Sequence, residues 1–341
     1  MKLFITFFIL ITILSCQSGQ HTLKKIIHIQ GRTMGTGFNV KAVVHQDFIQ
    51  SSLEEKINDR LIEINKSMST YIKDSEISLF NKTLANISFE VSKDFQIVLS
   101  HALQVADRTN GAFDPTIGPL VNLWGFGPEG ERTQPTQEAI KKTKELVGYK
   151  KILIDKSSIK KTVNNVYLDL SASAKGYGVD EVLKVLRDAK ITDAMVEIGG
   201  EIRTMGSSLT RPWKIGVEKP VQGSFEQSAV KVVTLKNVAL ATSGSYRNFF
   251  KENGKSFSHT IDYKSGKPVE TSLVSVSVIS DTCMDADAMA TALMAMGTER
   301  AINFAKANSL KAFLIYKDPK NEGKFRFFES ASFVKATSPI Q

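Results

Sequence analysis

Residues 281–297 read DTCMDADAMATALMAMG, a run of small and apolar residues headed by three aspartates, Asp281, Asp285 and Asp287. A buried carboxylate is costly unless a positive group meets it, which raises the question of what these aspartates hold. Asp287 and Thr291 are four residues apart and would share one face of a helix. A carboxylate beside a hydroxyl is a hard-oxygen pair, suited to Mg2+ or another hard cation rather than to zinc. The same spacing also fits an aspartate near a helix N-terminus with a threonine bonded to its own backbone, and the pair alone leaves both readings open. Asp285 lies about 200° round the helix from Asp287. It is therefore expected, with Asp281, to cap the helix or to meet its dipole.

Residues 167–183, YLDLSASAKGYGVDEVL, hold a second group of polar residues. The pattern predicts that Asp169 ends a strand and that Lys175 opens a helix after a run of small residues. Small residues let a ligand approach the backbone, and a helix N-terminus favours anions. The segment lacks the first glycine and the Lys-Ser/Thr pair of a Walker loop. In GAFDPTIGPLVNLWGFG (111–127), Gly111 and Pro115 set a sharp turn that fixes Phe113 and Asp114. Trp124 and Phe126 there supply aromatic surface, either core or a stacking platform. ATSGSYRNFF (241–250) is followed by SFSHTIDYKSGKP (256–268), which contains His259, one of five histidines in the chain. A lone histidine beside a strand is more often structural than catalytic. No Gly-x-Ser-x-Gly elbow is present, which sets aside a serine hydrolase of the α/β type.

The elements that must carry these residues follow from hydrophobic periodicity. KKIIHIQ and TGFNVKAVVH predict two strands with GRTMG turning between them. Ile49, Leu53, Ile57, Leu61, Ile64 and Met68 recur every three or four residues, one face of a long helix. Phe95, Leu99, Ala102 and Ala106 mark a second helix that runs out at RTNGAFDP. Residues 127–137 are the most linker-like segment, with short strands and turns expected from there to about 170. A helix is expected near 175–189, strands at 193–198, 213–218, 229–235 and 273–280, helix over 284–308, and closing strands at 311–316 and 325–328. Strands cluster with turns instead of alternating with helices, so the fold class is α+β and not a doubly wound parallel sheet.

The chain of 341 residues is 42% hydrophobic, enough for one large domain or two modest ones. It opens MKLFITFFILITILSCQSGQ, where Lys2 precedes an apolar run too short to span a membrane but suited to a secretory signal. Ile13-Leu14-Ser15-Cys16 is similar to a bacterial lipobox. This predicts a signal over 1–15, an acylated Cys16 (palmitate among its acyl chains) and a polar tether over 16–24. Cys283 is the other cysteine and is expected to be a small buried hydrophobe. The formal charge is +9, with basic residues scattered instead of interleaved with aromatics. That distribution fits a solvated surface near anionic lipid and excludes nucleic acid as the expected partner.

In this order, GRTMGT, GAFDPTIGPLVNLWGFG, LDLSASAKGYGVDEV, VEIGGEI, ATSGSYRN, HTIDYKSGKP and DADAMATAL resemble the ApbE family of FAD:protein FMN transferases, over roughly residues 30–320. The resemblance implies mostly antiparallel sheets with packed helices, a single catalytic unit of two lobes over residues 25–335. It implies that FAD is the substrate and that FMN passes to a Thr or Ser hydroxyl of an acceptor protein through a phosphoester, with AMP leaving. It implies Mg2+ held by Asp287, Thr291 and the backbone carbonyl of Ala172, and an FAD pocket at Met34, Tyr71, Ala112, Phe113, Asp114, Asp169, Lys175 and Ile261. His259 matches the family's general base. Two positions depart from the usual His-Ile-Ile-Asp-Pro: Thr260, and Tyr263, which removes a rigid turn beside Asp262. An FAD pyrophosphatase, and a lipoprotein that only carries flavin, are the alternatives. The expected location is the bacterial cell envelope, lipid-anchored to a membrane and outside the cytoplasm.

Overall fold

A computed structural model describes residues 23–126, 134–218, 229–244, 249–252, 255–258, 260–321 and 323–337. The alternating apolar residues at the start form β1 (Lys24–Thr33) and β2 (Thr36–His45), paired antiparallel. Met34 and Gly35 alone make the turn, at φ 49° and 73°, so β1 continues three residues into GRTMG. Six further strands are β3 (Ala194–Ile198), β4 (Glu201–Met205), β5 (Ala239–Gly244), β6 (Leu273–Ser280), β7 (Lys311–Lys317) and β8 (Phe325–Glu329). Together they make one eight-stranded sheet whose spatial order is the chain order, each strand antiparallel to the next. Helices pack against that sheet, the α+β class expected. Trp213–Glu218 and Ala229–Leu235 pair separately. Strands β4 and β5 have no counterpart in the sequence pattern.

The helical periodicities hold where they are long. Helix α1 (Ser51–Met68) buries Leu53, Ile57, Leu61, Ile64 and Met68, while Ile49 precedes it and is exposed. Helix α2 (Lys93–Arg108) buries Phe95, Leu99, Ala102 and Ala106 and is capped by Ser92. Of the linker-like segment, residues 127–133 lie outside the described residues. Thr136 then caps a helix, Gln137–Lys144, where only strands and turns were expected. Helix α3 (Ser171–Asp188) begins four residues before the expected start. The stretch expected as helix over 284–308 is two helices, α4 (Cys283–Met296) and α5 (Thr298–Ala307), parted by Gly297 at φ 73°.

Helix α4 is buried on nearly every face, as its composition requires. It sits among α2, α3, α5 and strands β5 and β6. Its head touches α3 backbone to backbone: a Cβ built on Gly176 would lie 2.4 Å from the Cys283 carbonyl oxygen. Only glycine permits that approach, and it brings the polar residues of both helices together.

Candidate active site

The site grows from this contact. Asp287, one turn into α4, is 4% exposed, and its Oδ2 accepts from the Gly176 N–H at 3.0 Å. Lys175, the residue before, stands over two carboxylates: its Nζ is 2.9 Å from Glu201 Oε1 and 3.6 Å from Asp287 Oδ1. The lysine side chain keeps 30% of its exposure, whereas those of Glu201 and Asp287 keep 4% and 6%. The floor is thus acidic, and the lysine is the member of the three whose side chain stays partly exposed. Glu201 arrives by the Gly199-Gly200 turn between β3 and β4, both glycines at positive φ.

The charges shift one another. Burial pulls Lys175 down, but Asp287 and Glu201 outweigh it and hold the ammonium above the ordinary lysine range. Burial pushes Glu201 up against the pull of Lys175, and the nearby Asp287 adds to the rise. Burial likewise pushes Asp287 up, against Lys175 and the Gly176 N–H. One lysine therefore serves two carboxylates. Beside them, Asp180 accepts from the N–H groups of Cys283 (2.9 Å) and Met284 (3.0 Å) and pairs with Arg203 at 2.6 Å. This carboxylate binds the first turn of α4 to α3, fixing the helix that carries Asp287. Cys283 is buried, as expected, and burial pushes its thiol well up.

The residues present fit a hard divalent cation. Glu201 Oε2 is buried without a hydrogen-bond partner, beside the buried Asp287 carboxylate. In an α-helix the N–H of residue 176 points at the carbonyl of residue 172. Asp287 accepts that same N–H, so its carboxylate and the Ala172 carbonyl converge. Thr291 follows one turn along α4. These are hard oxygen donors. Among the described residues, no three His, Cys, Asp or Glu side chains gather as a group that could hold a metal ion, so the fit rests on this mixed set.

Other expected site residues fall in several places. Met34 lines a groove of about 630 Å³ with Arg32, Asn65 and Asp74, and its Cε approaches Gly178 of α3. Tyr71 is 75% exposed nearby in sequence, one residue before Ile72 of the same groove. Ala112 and Phe113 pack on the core, and Asp114 is buried. Both Asp114 oxygens are engaged: Oδ1 accepts from the N–H and hydroxyl of Thr116 in its own turn, and Oδ2 from the N–H of the distant Tyr149. Ile261 is buried with Leu120, Trp124 and Ile140, and Trp124 donates to the Gly266 carbonyl, so this tryptophan is core.

Three expectations are corrected. Asp169 lies outside any strand and accepts from the Ser171 N–H at 2.8 Å, which starts α3 early. Lys175 is consequently the fifth helical residue and does not open the helix; its small neighbours are helix formers as well as loop residues. Thr282, not an aspartate, caps α4 by accepting from the Asp285 N–H. Asp285 does lie in the first turn, but its carboxylate meets His101 (3.2 Å), Ser280 (2.8 Å) and Arg108 (3.4 Å), while Asp281 is exposed. Glu201 was missed altogether.

Tyr263 replaces the proline turn by other means. Its hydroxyl donates to the Asn110 carbonyl at 2.5 Å and its ring lies over Gly111, tying the 260–268 hairpin to the Gly111–Asp114 turn. Asp262 Oδ1 accepts from the Lys264 N–H at 2.9 Å, which fixes the carboxylate locally. His259 and Cys16 lie outside the described residues.

A profile of the ApbE family matches residues 34–314. The chain is 41% identical over 322 residues to the FAD:protein FMN transferase of Haemophilus influenzae, covering 92% of both chains. It is 40% identical over 311 residues to that of Vibrio cholerae, covering 90% of this chain and 91% of the relative. The structure superposes on the flavin transferase ApbE from Vibrio cholerae with a TM-score of 0.82 at 38% identity, covering 92% of this chain and 99% of that one. On the apo flavinyl transferase ApbE from Pseudomonas stutzeri the TM-score is 0.84 at 32% identity, covering 93% and 98%.

Proposed function

The chain belongs to the ApbE family, and on that premise we propose that it transfers FMN from FAD to a threonine or serine hydroxyl of an acceptor protein. The acceptor oxygen attacks the phosphorus on the FMN side of the pyrophosphate. The bond from that phosphorus to the bridging oxygen breaks, and the electron pair leaves with AMP. The hydroxyl proton passes to His259, as neutral imidazole is suited to accept it near neutral pH. The Lys175 ammonium, set over the two carboxylates, offers its charge to the pyrophosphate oxygens. Asp287, Thr291 and the Ala172 carbonyl would hold Mg2+, which would supply charge neutralisation on the pyrophosphate. Met34, Tyr71, Ala112, Phe113, Asp114, Asp169 and Ile261 complete the FAD pocket in this reading, and residues 25–335 form the catalytic unit.

One observation carries the proposal: a lysine set over two buried carboxylates, in a chain 41% identical to a named FAD:protein FMN transferase. A lipoprotein that only stored flavin would need neither charge group at that cost in burial. Incubation with FAD, Mg2+ and an acceptor bearing a Thr or Ser flavinylation site should leave a fluorescent flavin band on the acceptor in a denaturing gel. Release of FMN and AMP with no labelled acceptor would identify a pyrophosphatase instead.

The reading extends to the envelope: Cys16 is the acylated first residue, bound to a bacterial membrane with residues 25–335 outside the cytoplasm. No helix among the described residues is long and apolar enough to cross a membrane. Wild-type protein from cells should enter the detergent phase of a Triton partition, and Cys16→Ser the aqueous phase. Detergent partition of Cys16→Ser would remove the lipid anchor.

A further inference from the structure

Lys175 Nζ stands nearer Glu201 (2.9 Å) than Asp287 (3.6 Å), although Glu201 has no part in the reaction as described. Glu201 is 3% exposed, and its Oε2 meets no partner. A buried, half-satisfied carboxylate costs stability that an apolar side chain at this strand position would not. Folding alone therefore gives no reason for the residue.

We infer that Glu201 is a positioning residue: it holds the Lys175 ammonium away from Asp287 and so keeps the Asp287 carboxylate open to a divalent cation. The inference rests on the reading of Asp287 as a cation ligand. Asp287 Oδ2 accepts from the Gly176 N–H, and Oδ1 is the oxygen on the Lys175 side. That oxygen faces Lys175 at 3.6 Å, beyond a charge-assisted hydrogen bond. A shift of roughly 1 Å would close the gap to about 2.8 Å and place the ammonium where the cation should be. Glu201 opposes the shift by holding the ammonium at 2.9 Å, closer than Asp287 does. The lysine can then face a phosphate without becoming the counter-ion of the metal carboxylate.

Mn2+, a hard cation visible by electron paramagnetic resonance, tests this without turnover. Full-length Glu201→Gln should bind Mn2+ about 10–100-fold more weakly than wild type, the usual effect of losing a group that orients a metal ligand. Its crystal structure should show Lys175 Nζ hydrogen-bonded to Asp287. The double variant Lys175→Met/Glu201→Gln has no ammonium to compete, so it should regain wild-type Mn2+ affinity. It remains a measure of the idea should Glu201→Gln fold poorly. Unchanged affinity in Glu201→Gln, or Lys175 unmoved in its crystal structure, would overturn the inference. A double variant as weak as the single one would make Glu201 a ligand itself and overturn it equally. Wild type that transfers FMN but binds no Mn2+ would remove both this inference and the metal reading of Asp287. The full Mn2+ pattern without FMN transfer would leave the inference standing and sink the transferase reading.

Discussion

Asp287→Ala is expected to abolish FMN transfer and its dependence on divalent cation while the protein stays folded. Its carboxylate is the sole charged donor proposed for the cation, beside a hydroxyl and a carbonyl. Its loss should cost on the order of several kcal/mol of transition-state stabilisation, about a thousandfold or more in rate. The fold should survive for a specific reason. Removing Asp287 leaves Lys175 and Glu201 as a one-to-one pair at 2.9 Å, so no buried charge is stranded. The Gly176 N–H keeps the acceptor four residues back that any α-helix supplies. Asp287→Asn, which retains shape and an acceptor for Gly176, should be equally inactive and closer to wild type in thermal unfolding. Turnover against Mg2+ concentration reads the first effect and calorimetry the second. Near wild-type, Mg2+-dependent turnover in either variant would move the cation elsewhere.

How far the sequence reaches is clear from which residues it exposes. The apolar periods of α1 and α2 name their buried faces correctly, because long amphipathic helices repeat one signal many times. The composition of α4 implies its burial, and the spacing of Asp287 and Thr291 implies a shared helix. Short strands fare worse. EIRTM and ALATSG form β4 and β5 in the middle of the sheet, yet apart from Ile202, Met205 and Leu240 their residues are small, polar or charged. Glu201 shows the same limit at the site. A glutamate is almost never buried, so residue type argued against it, and its partner Lys175 lies 26 positions earlier. The available signals were the VEIGGEI motif that contains Glu201 and, within it, the pair Gly199-Gly200, whose turn delivers Glu201 inward. The start of α3 was misplaced because Ser and Ala suit a ligand-binding loop and a helix alike, and the Asp169 contact that decides it is a matter of geometry.

His259→Ala should separate transfer from hydrolysis. If His259 takes the proton of the acceptor hydroxyl, the variant should bind FAD about as tightly as wild type, since the Lys175–Asp287 cluster is intact. Transfer should nevertheless fall by about 10²–10⁴, the usual worth of a positioned general base. Slow release of FMN and AMP should persist, because water can attack a charge-neutralised phosphate without that base. The competing role is to brace the segment 256–268, whose described part is already held by Tyr263 on Asn110 and by Trp124 on the Gly266 carbonyl. Those ties do not run through His259, so its loss should leave the hairpin in place. A bracing role would instead weaken FAD binding and thermal stability together, and saturating FAD would restore the rate. Transfer measured at saturating FAD, beside a calorimetric FAD affinity, therefore decides: a deep loss of rate at unchanged affinity assigns the base, and a rate recovered by substrate takes that role from His259.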